Sequence, residues 1–236
     1  VQVQVAIFCD RVQVSTQKRP PTPRKHERRA DPVHALHRPP STTPVPAIVM
    51  CPAEDKVSRH TVAVVGGGVA GLVALKVLRD RGVDAHVYER EAVIGGVWNR
   101  TYKNVRLQQH KDDFKLPGTE WPEHTVDFPD AKAVEAYIAK FASEHKLTDA
   151  VTRDAELESC VFDETTTRWR LTFADRSVCI AQHIIVATGA LGKPKKTDAA
   201  ATFESFHGEV MHSSEYYDAA NFHGKDVLVV GGGSSA

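Results

Sequence analysis

The apolar positions of the chain alternate between short continuous runs and segments with helical spacing, which predicts a sheet flanked by helices. Residues 61–65 form a continuous run, as expected of a strand buried on both faces of a parallel sheet. The next apolar stripe starts at Ala70, and Gly82 stands where a helix C-terminal cap belongs. Residues 83–88 predict a second strand. These segments make one predicted β-α-β unit.

Beyond this unit, the pattern predicts one more helix and several strands. Residues 95–130 lack periodicity, and we expect an ordered loop with short turns around a site. Asp130 is predicted to cap a helix from Ala131 to His145. A three-stranded meander and one buried strand are predicted at residues 157–162, 169–173, 178–180 and 183–187.

The pattern becomes irregular near the end of the sequence. Residues 203–222 show no regular spacing, whereas residues 227–230 predict a strand that leads into a second glycine cluster. Two units of this kind predict an α/β protein. The expected architecture is one Rossmann-like nucleotide-binding domain followed by the start of a second, truncated at the C-terminus.

The first 49 residues differ in composition from the rest. They hold eight of the 13 prolines and eight basic against three acidic side chains. Proline at this density removes backbone donors, so the segment is expected to be disordered. Alternatively, Met50 is the true start and the preceding residues are artefactual, and a targeting peptide is a third possibility. The predicted domains are a leader at 1–56, a first nucleotide-binding domain at 57–190, and a hinge with the truncated start of a second at 191–236.

Charge and cysteine content exclude several classes of protein. Lysine plus arginine equals aspartate plus glutamate at 30 each, so no net field favours nucleic acid as a partner. No apolar run approaches the ~20 residues that cross a bilayer. The four cysteines form no C-x-x-C pair, which leaves a disulfide framework, a metal site and a dithiol centre unsupported. The sequence specifies neither oligomeric state nor compartment, and the cytoplasm is the default expectation.

The first glycine cluster has the spacing of a dinucleotide-binding turn. Gly66 permits the tight bend, Gly68 allows close approach of a pyrophosphate, and Gly71 lets the helix lie near the strand. Amides at the start of that helix would face the phosphates. Glu89 ends the next strand 18 residues after Gly71, where a carboxylate can accept hydrogen bonds from a ribose. The alternative for Glu89 is an ordinary solvated carboxylate at a strand end.

A second glycine pair precedes a tryptophan shortly after Glu89. The segment Gly95-Gly96-Val97-Trp98 can return to the mouth of the sheet, where a bound dinucleotide would extend. The alternative is that Trp98 fills the core.

These motifs, with two further stretches, carry a family resemblance. Residues 206–216 read F-H-G-E-V-M-H-S-S-E-Y and match the fingerprint F-x-G-x-x-x-H-x-x-x-[YF] at every fixed position. The other stretches are residues 102–111 and Ala187-Thr188-Gly189. From about residue 60 to residue 236 the chain resembles the flavin-containing monooxygenases, most strongly plant-type and microbial members. The resemblance implies that residues 57–190 are a Rossmann-like FAD-binding domain and that residues 191–236 hold the hinge and the truncated start of a Rossmann-like NADPH-binding domain. The related Baeyer–Villiger enzymes place tryptophan where this chain has Tyr216.

The resemblance implies an enzyme that uses FAD, NADPH and O2 to oxygenate a sulfur or nitrogen atom of a small molecule through a C4a-hydroperoxyflavin, as in N,N-dimethylaniline monooxygenases. It implies a catalytic role for Gln108, at a position where the family often has asparagine; Gln108 as a plain surface residue is the alternative. The resemblance also implies a set of cofactor-binding residues: Gly66, Gly68, Val69, Ala70, Gly71, Glu89, Gly96, Val97, Trp98, Gln108, Gln109, His212, Gly231, Gly233 and Ser235.

Three other classes are weighed against this one. A short-chain dehydrogenase needs Tyr-x-x-x-Lys, which none of the five tyrosines provides. A thioredoxin-reductase-like enzyme needs a cysteine pair that is absent. The remaining rival is a non-catalytic nucleotide-binding remnant or incomplete gene product. Because the second glycine cluster ends the sequence, we expect this chain alone to lack turnover and assign the chemistry to the intact parent.

Overall fold

The structure is a computed structural model that describes residues 5–8, 56–190 and 205–231. Its strands are β1 (Val5–Phe8), β2 (Val57–Val65), β3 (Ala85–Tyr88), β4 (Val151–Thr152), β5 (Leu157–Asp163), β6 (Arg168–Phe173), β7 (Val178–Val186), β8 (Glu209–His212) and β9 (Val227–Val230). Its α-helices are α1 (Val69–Asp80) and α2 (Ala131–Glu144).

Six strands form one mixed sheet in the order β4-β3-β2-β7-β6-β5. The first four of these run parallel, and β6 and β5 are antiparallel neighbours at the far edge. Register places Val65 beside Tyr88 on one side and beside Val186 on the other, so β2, β3 and β7 end at the same edge. The prediction of an α/β, Rossmann-like fold is confirmed.

Apolar side chains fill both faces of this sheet. On one face, α1 contributes Leu72 and Leu75 and α2 contributes Tyr137 and Phe141, all with no exposed surface. On the other face, Leu171 and Phe173 of β6 pack with Tyr88 of β3. The stripe predicted for α2 is buried as expected: Val134, Tyr137, Ile138 and Phe141. The stripe predicted for α1 (Ala70, Val73, Ala74, Val77 and Leu78) is wrong, because the helix turns Leu72 and Leu75 toward the sheet and leaves Ala70 and Val77 exposed.

Both predicted helix caps form. Gly82 has φ of +73°, and its amide donates to the carbonyl of Arg79 at 2.9 Å, which ends α1. The Asp130 carboxylate accepts from the amide of Ala133 at 2.9 Å and starts α2. Within the part of the chain described, no helix is both long and apolar enough to span a bilayer.

Two predicted details near the meander and hinge are wrong. The separate strands predicted at 178–180 and 183–187 form the single strand β7, because β2 pairs with it along its length. The irregular stretch predicted at 203–222 contains β8, which forms because its backbone pairs with β1.

The predicted disorder of the leader is wrong for Val5–Phe8. This strand lies between β8 and β9 in a three-stranded parallel sheet of order β8-β1-β9. Neighbours on both sides satisfy the backbone groups of β1, which outweighs the proline content of the surrounding leader. Residues 9–55 lie outside the described residues, and the predicted domain boundaries remain predictions.

Candidate functional site

The candidate site lies where β2, β3 and β7 end. The chain leaves β2 through Gly66, whose amide donates to the carbonyl of Tyr88 at 2.8 Å. The amide of Ala187, just after β7, donates to the carbonyl of Val65 at 2.8 Å. The glycine turn, the Glu89 carboxylate and the Ala187-Thr188-Gly189 stretch therefore share one edge of the sheet.

The glycine turn fits only residues without a β-carbon at two of its positions. A Cβ on Gly71 would lie 1.9 Å from the carbonyl oxygen of Gly66, and one on Gly66 would lie 2.5 Å from the carbonyl oxygen of Ala187. The turn leads directly into α1, whose first amides, at Val69 and Ala70, have no carbonyl one turn earlier in the helix. This is the geometry of an anion-binding helix start.

Glu89 lies against this turn with 6% of its surface exposed. Its Oε2 atom accepts from the amide of Gly67 at 2.5 Å, and its Oε1 atom accepts from the amide of Glu91 at 2.9 Å. The interpretation as a freely solvated strand-end carboxylate is therefore wrong. The remaining lone pairs of this carboxylate are available to a hydroxyl donor at the turn.

The second glycine pair packs on the first turn. The amide of Gly95 donates to the carbonyl of Gly67 at 3.0 Å, and a Cβ on Gly96 would lie 3.1 Å from the Cα of Gly68. The short 3-10 turn Gly96–Asn99 follows. Within the described ranges, the buried Oδ1 atom of Asn99 has no hydrogen-bond partner, so one buried acceptor at this turn is unsatisfied.

Trp98 and Val97 divide between core and surface. The Trp98 ring is half-buried and meets Phe114 edge-on at 5.8 Å between ring centroids, so it packs against the core. The neighbouring Val97 side chain is 51% exposed. The structure shows the packing contact of Trp98 with the core, and a contact of Trp98 with a cofactor remains a prediction.

Gln108 and Gln109 lie on a different loop, in the bend that follows the isolated bridge between Arg106 and Asp130. Both side chains are exposed. The Gln109 amide donates to the carbonyl of Asp113 at 3.5 Å. The roles assigned to both glutamines rest on the sequence resemblance and remain predictions.

His212 of the fingerprint caps a short 3-10 turn. Its Nδ1 atom accepts from the amide of Ser214 at 3.1 Å, and Glu215 returns a carboxylate to the amide of His212 at 3.0 Å. This reciprocal pair is a capping box. The histidine therefore has a clear local role in fixing the segment between the two glycine clusters. Of the second cluster, Gly231 follows β9, whereas Gly233 and Ser235 lie outside the described residues.

Sequence reasoning missed the contact of Lys103 with residues 217 and 218. The Lys103 amide donates to the carbonyl of Tyr217 at 2.8 Å, and its ammonium group pairs with the Asp218 carboxylate. No periodic pattern signals such a contact between two irregular segments.

Two open cavities of about 320 and 460 Å³ lie elsewhere. Both are lined by Arg59, Arg168 and Ile180, among others, and so adjoin the first half of β2, away from the glycine turn. Among the residues described, no group of three His, Cys, Asp or Glu side chains is placed to hold a metal ion.

Comparisons with known proteins agree on one family. The sequence model of the family described as flavin-binding monooxygenase-like matches residues 59–236. The chain is 32% identical over 176 residues to the probable indole-3-pyruvate monooxygenase YUCCA9 of Arabidopsis thaliana, covering 73% of this chain and 41% of that protein. It is also 32% identical over 183 residues to the acetone monooxygenase (methyl acetate-forming) of Gordonia sp. (strain TY-5), covering 73% and 33%.

A solved structure gives the same result. An oxidized steroid monooxygenase bound to NADP matches with a TM-score of 0.56 at 25% identity, covering 59% of this chain and 28% of that chain. The chain spans less than half the length of the curated relatives named above.

Proposed function

Because the chain belongs to the flavin-binding monooxygenase-like family, we propose that it serves an enzyme that uses FAD, NADPH and O2 to oxygenate a small molecule. The observation that carries this proposal is the Gly66–Gly71 turn with the Glu89 carboxylate buried against it. The reacting atom of the substrate is proposed to be a soft nucleophile, sulfur or nitrogen, as in N,N-dimethylaniline.

The residues present fit the adenosine diphosphate half of FAD. The close approach of Gly68 and Gly96 leaves no side chain between the two turns, and the first amides of α1 point along the helix axis toward a diphosphate. Glu89 is in place to accept from ribose hydroxyls. The unsatisfied Asn99 Oδ1 atom adds one acceptor beside this cradle.

Bound FAD would take two electrons from NADPH and pass them to O2, which is chemistry the side chains cannot supply. The protein groups bind and orient the cofactor and the substrate, and they exclude water from the site. Trp98 packs the Gly96–Asn99 turn against the core through its contact with Phe114. Gln108 is proposed to hold a polar atom of the reacting centre through its side-chain amide.

The NADPH site is proposed at the second glycine cluster, with Gly231, Gly233 and Ser235 meeting the pyrophosphate and His212 fixing the approach to it. Support comes from the β9 strand, which precedes Gly231 as β2 precedes Gly66, and from the NADP bound by the structural relative.

The substrate class separates this proposal from the activities of the relatives. One relative is named for indole-3-pyruvate and another forms methyl acetate from acetone. The fingerprint has Tyr216 rather than tryptophan at its last position, which favours attack by sulfur or nitrogen over ester formation from a ketone.

The test is to express the 236-residue chain and the product of the complete gene and to measure bound flavin and NADPH-dependent O2 uptake. Uptake with methyl phenyl sulfide and N,N-dimethylaniline, with products carrying one added oxygen atom, is the expected result for the gene product. A colourless gene product that does not bind added FAD would refute the proposal, and turnover with acetone alone would refute the assigned substrate class.

A further inference from the structure

Two loops that lie 115 residues apart in sequence meet at Lys103. Its backbone amide donates to the carbonyl of Tyr217 at 2.8 Å, and its Nζ atom pairs with the carboxylate of Asp218. The same Nζ atom lies 5.6 Å from the centroid of the Tyr217 ring, within cation–π range. Backbone, charge and side-chain contacts of one residue therefore all reach the same segment.

Neighbouring side chains extend this contact. The rings of Tyr102 and Tyr216 lie 5.5 Å apart between centroids, and Tyr216 lies 5.7 Å from Phe222. Asp218 also accepts from the amide of Ala220 at 3.1 Å and so caps the short turn that contains Phe222. The carboxylate that pairs with Lys103 is thus also held by a hydrogen bond within its own segment.

The contact of Lys103 lies between the two segments that carry the glycine turns. Tyr102 and Lys103 come three and four residues after the end of the Gly96–Asn99 turn, which packs on the first glycine turn. Residues 216–218 lie between the His212 capping box and β9, which leads to Gly231. The contact therefore connects the segment that carries one nucleotide-binding turn with the segment that carries the other.

The Lys103–Asp218 ion pair is better suited to fixing the orientation of two segments than to stabilising the fold. The Lys103 side chain is 53% exposed and that of Asp218 is 20% exposed. The hydrogen bond between them raises the pKa of Lys103 and lowers the pKa of Asp218, so both stay charged near neutral pH. An exposed pair of this kind adds little to folding stability and is weakened by salt. It can still shift a balance between two orientations of similar free energy.

We propose that Lys103 is a positioning residue. Its contacts with Tyr217 and Asp218, which we call the clasp, hold the second nucleotide-binding segment in the orientation that delivers reducing equivalents to the first. This inference rests on the proposed function. Among the described residues, the contacts of Lys103 lie outside the first glycine turn and on residues 217 and 218. We therefore expect the clasp to govern the rate of flavin reduction and to leave the affinity for each nucleotide unchanged.

The experiment uses charge reversal and rescue in the complete gene product. Lys103→Glu and Asp218→Lys are expected to slow flavin reduction at saturating NADPH about two- to fivefold, or about 0.4 to 1 kcal/mol, with the Kd for NADPH unchanged. The double variant restores the opposite charges and is expected to recover most of the rate. Raising NaCl to about 0.5 M should slow the wild type but not the single variants.

Lys115→Glu is the matched control. Lys115 is also an exposed lysine, paired with Glu120 at 2.9 Å, but its partners lie within its own loop. Its reversal is expected to leave the reduction rate unchanged. Equal slowing by Lys115→Glu, or no rescue by the double variant, would overturn the clasp.

A readout independent of activity separates this inference from the proposed function. Hydrogen exchange at the Lys103 amide of the 236-residue chain is expected to quicken about two- to fivefold in Asp218→Lys and to slow again in the double variant. An unprotected amide in the wild type, or no response to charge reversal, refutes the clasp. If the amide responds and is rescued while NADPH reduces no flavin, the clasp stands and the proposed function fails.

Discussion

The Glu89 carboxylate and the Gly67 amide form a hydrogen bond of 2.5 Å between Oε2 and N. The bond ties the end of β3 to the turn that follows β2, and the backbone of Glu89 is itself held on both sides by Thr152 and Ala155. The carboxylate therefore cannot turn away from the glycine turn without breaking a buried contact. An acceptor fixed in this way suits the ribose contact proposed for Glu89.

Replacing this carboxylate is expected to weaken both FAD binding and the fold. In Glu89→Gln, an NH2 group replaces one acceptor oxygen, which costs about 1–3 kcal/mol at a buried site. We expect the Kd for FAD, measured by quenching of flavin fluorescence, to rise at least about tenfold. Urea unfolding of the apoprotein measures the stability loss separately.

The control for this variant is Glu91→Gln, which alters a half-exposed carboxylate paired with Arg90 and Arg100. Surface pairs contribute little, so its Kd for FAD should stay within about twofold of the wild type. Equal loss of affinity in both variants would contradict a specific role for Glu89.

Two glycines of the same turn are expected to respond differently to alanine. A Cβ at position 71 would lie 1.9 Å from a backbone oxygen, so Gly71→Ala should destabilise the apoprotein by about 1–3 kcal/mol. A Cβ at position 68 would lie 3.7 Å from the Cα of Gly96, an ordinary contact. Gly68→Ala should therefore change stability by less than about 0.5 kcal/mol.

The same pair separates structure from binding. The proposed function puts the FAD pyrophosphate against the backbone of Gly68, so a methyl group there should raise the Kd for FAD about tenfold or more, although the fold is intact. Thermal unfolding and flavin titration of both variants provide the measurements. Unchanged FAD affinity in Gly68→Ala would place the cofactor elsewhere.

Local patterns in the sequence predicted the parts of the site that depend on neighbouring residues. The β2–α1–β3 unit, the cap at Gly82 and the cap at Asp130 follow from spacing and backbone geometry that a short window contains. The placement of Glu89 against the turn also follows, because parallel strands end at one edge. These features need no information from distant residues.

The missed features are set by distant partners. β8 is a strand because β1 pairs with it, and β7 is continuous because β2 runs beside it. The clasp of Lys103 on Asp218 joins two segments without periodicity. Pairing between strands and contacts between loops depend on the tertiary structure, which overrides local propensity.

The His86 imidazole is expected to make the free energy of unfolding depend on pH. Burial, together with the neighbouring His60 ring stacked 4.7 Å away, lowers the pKa of His86 to about 4; Asp84 opposes this shift. The unfolded chain therefore takes up the proton first. The stability that the neutral His86 ring contributes is fully present above pH 6.5, the pKa of the histidine in the unfolded chain, and is lost as the pH falls toward 4. Partial exposure limits the loss to about 1 kcal/mol.

Urea unfolding of the wild type and His86→Gln between pH 4.5 and 7.5 tests this dependence. Glutamine can keep a hydrogen bond to the Thr152 hydroxyl, which lies 2.8 Å from Nε2 of His86. The wild type should lose more stability than the variant on acidification. His183→Gln, which changes an exposed histidine of β7, should follow the wild type, and parallel profiles for all three proteins would contradict the assignment.

The strand β1 offers a test of whether the leader belongs to the folded protein. A strand with neighbours on both sides donates alternate amides to each, so Ala6→Pro removes one ladder bond to β8 or β9 and clashes locally. We expect hydrogen exchange of Glu209–His212 and Val227–Val230 to quicken at least about tenfold, because these strands then lack a partner. The six-stranded sheet should keep its protection. Ala6→Ser retains the amide and serves as the control, and unchanged exchange in Ala6→Pro would mean that β1 does not pair with these strands in solution.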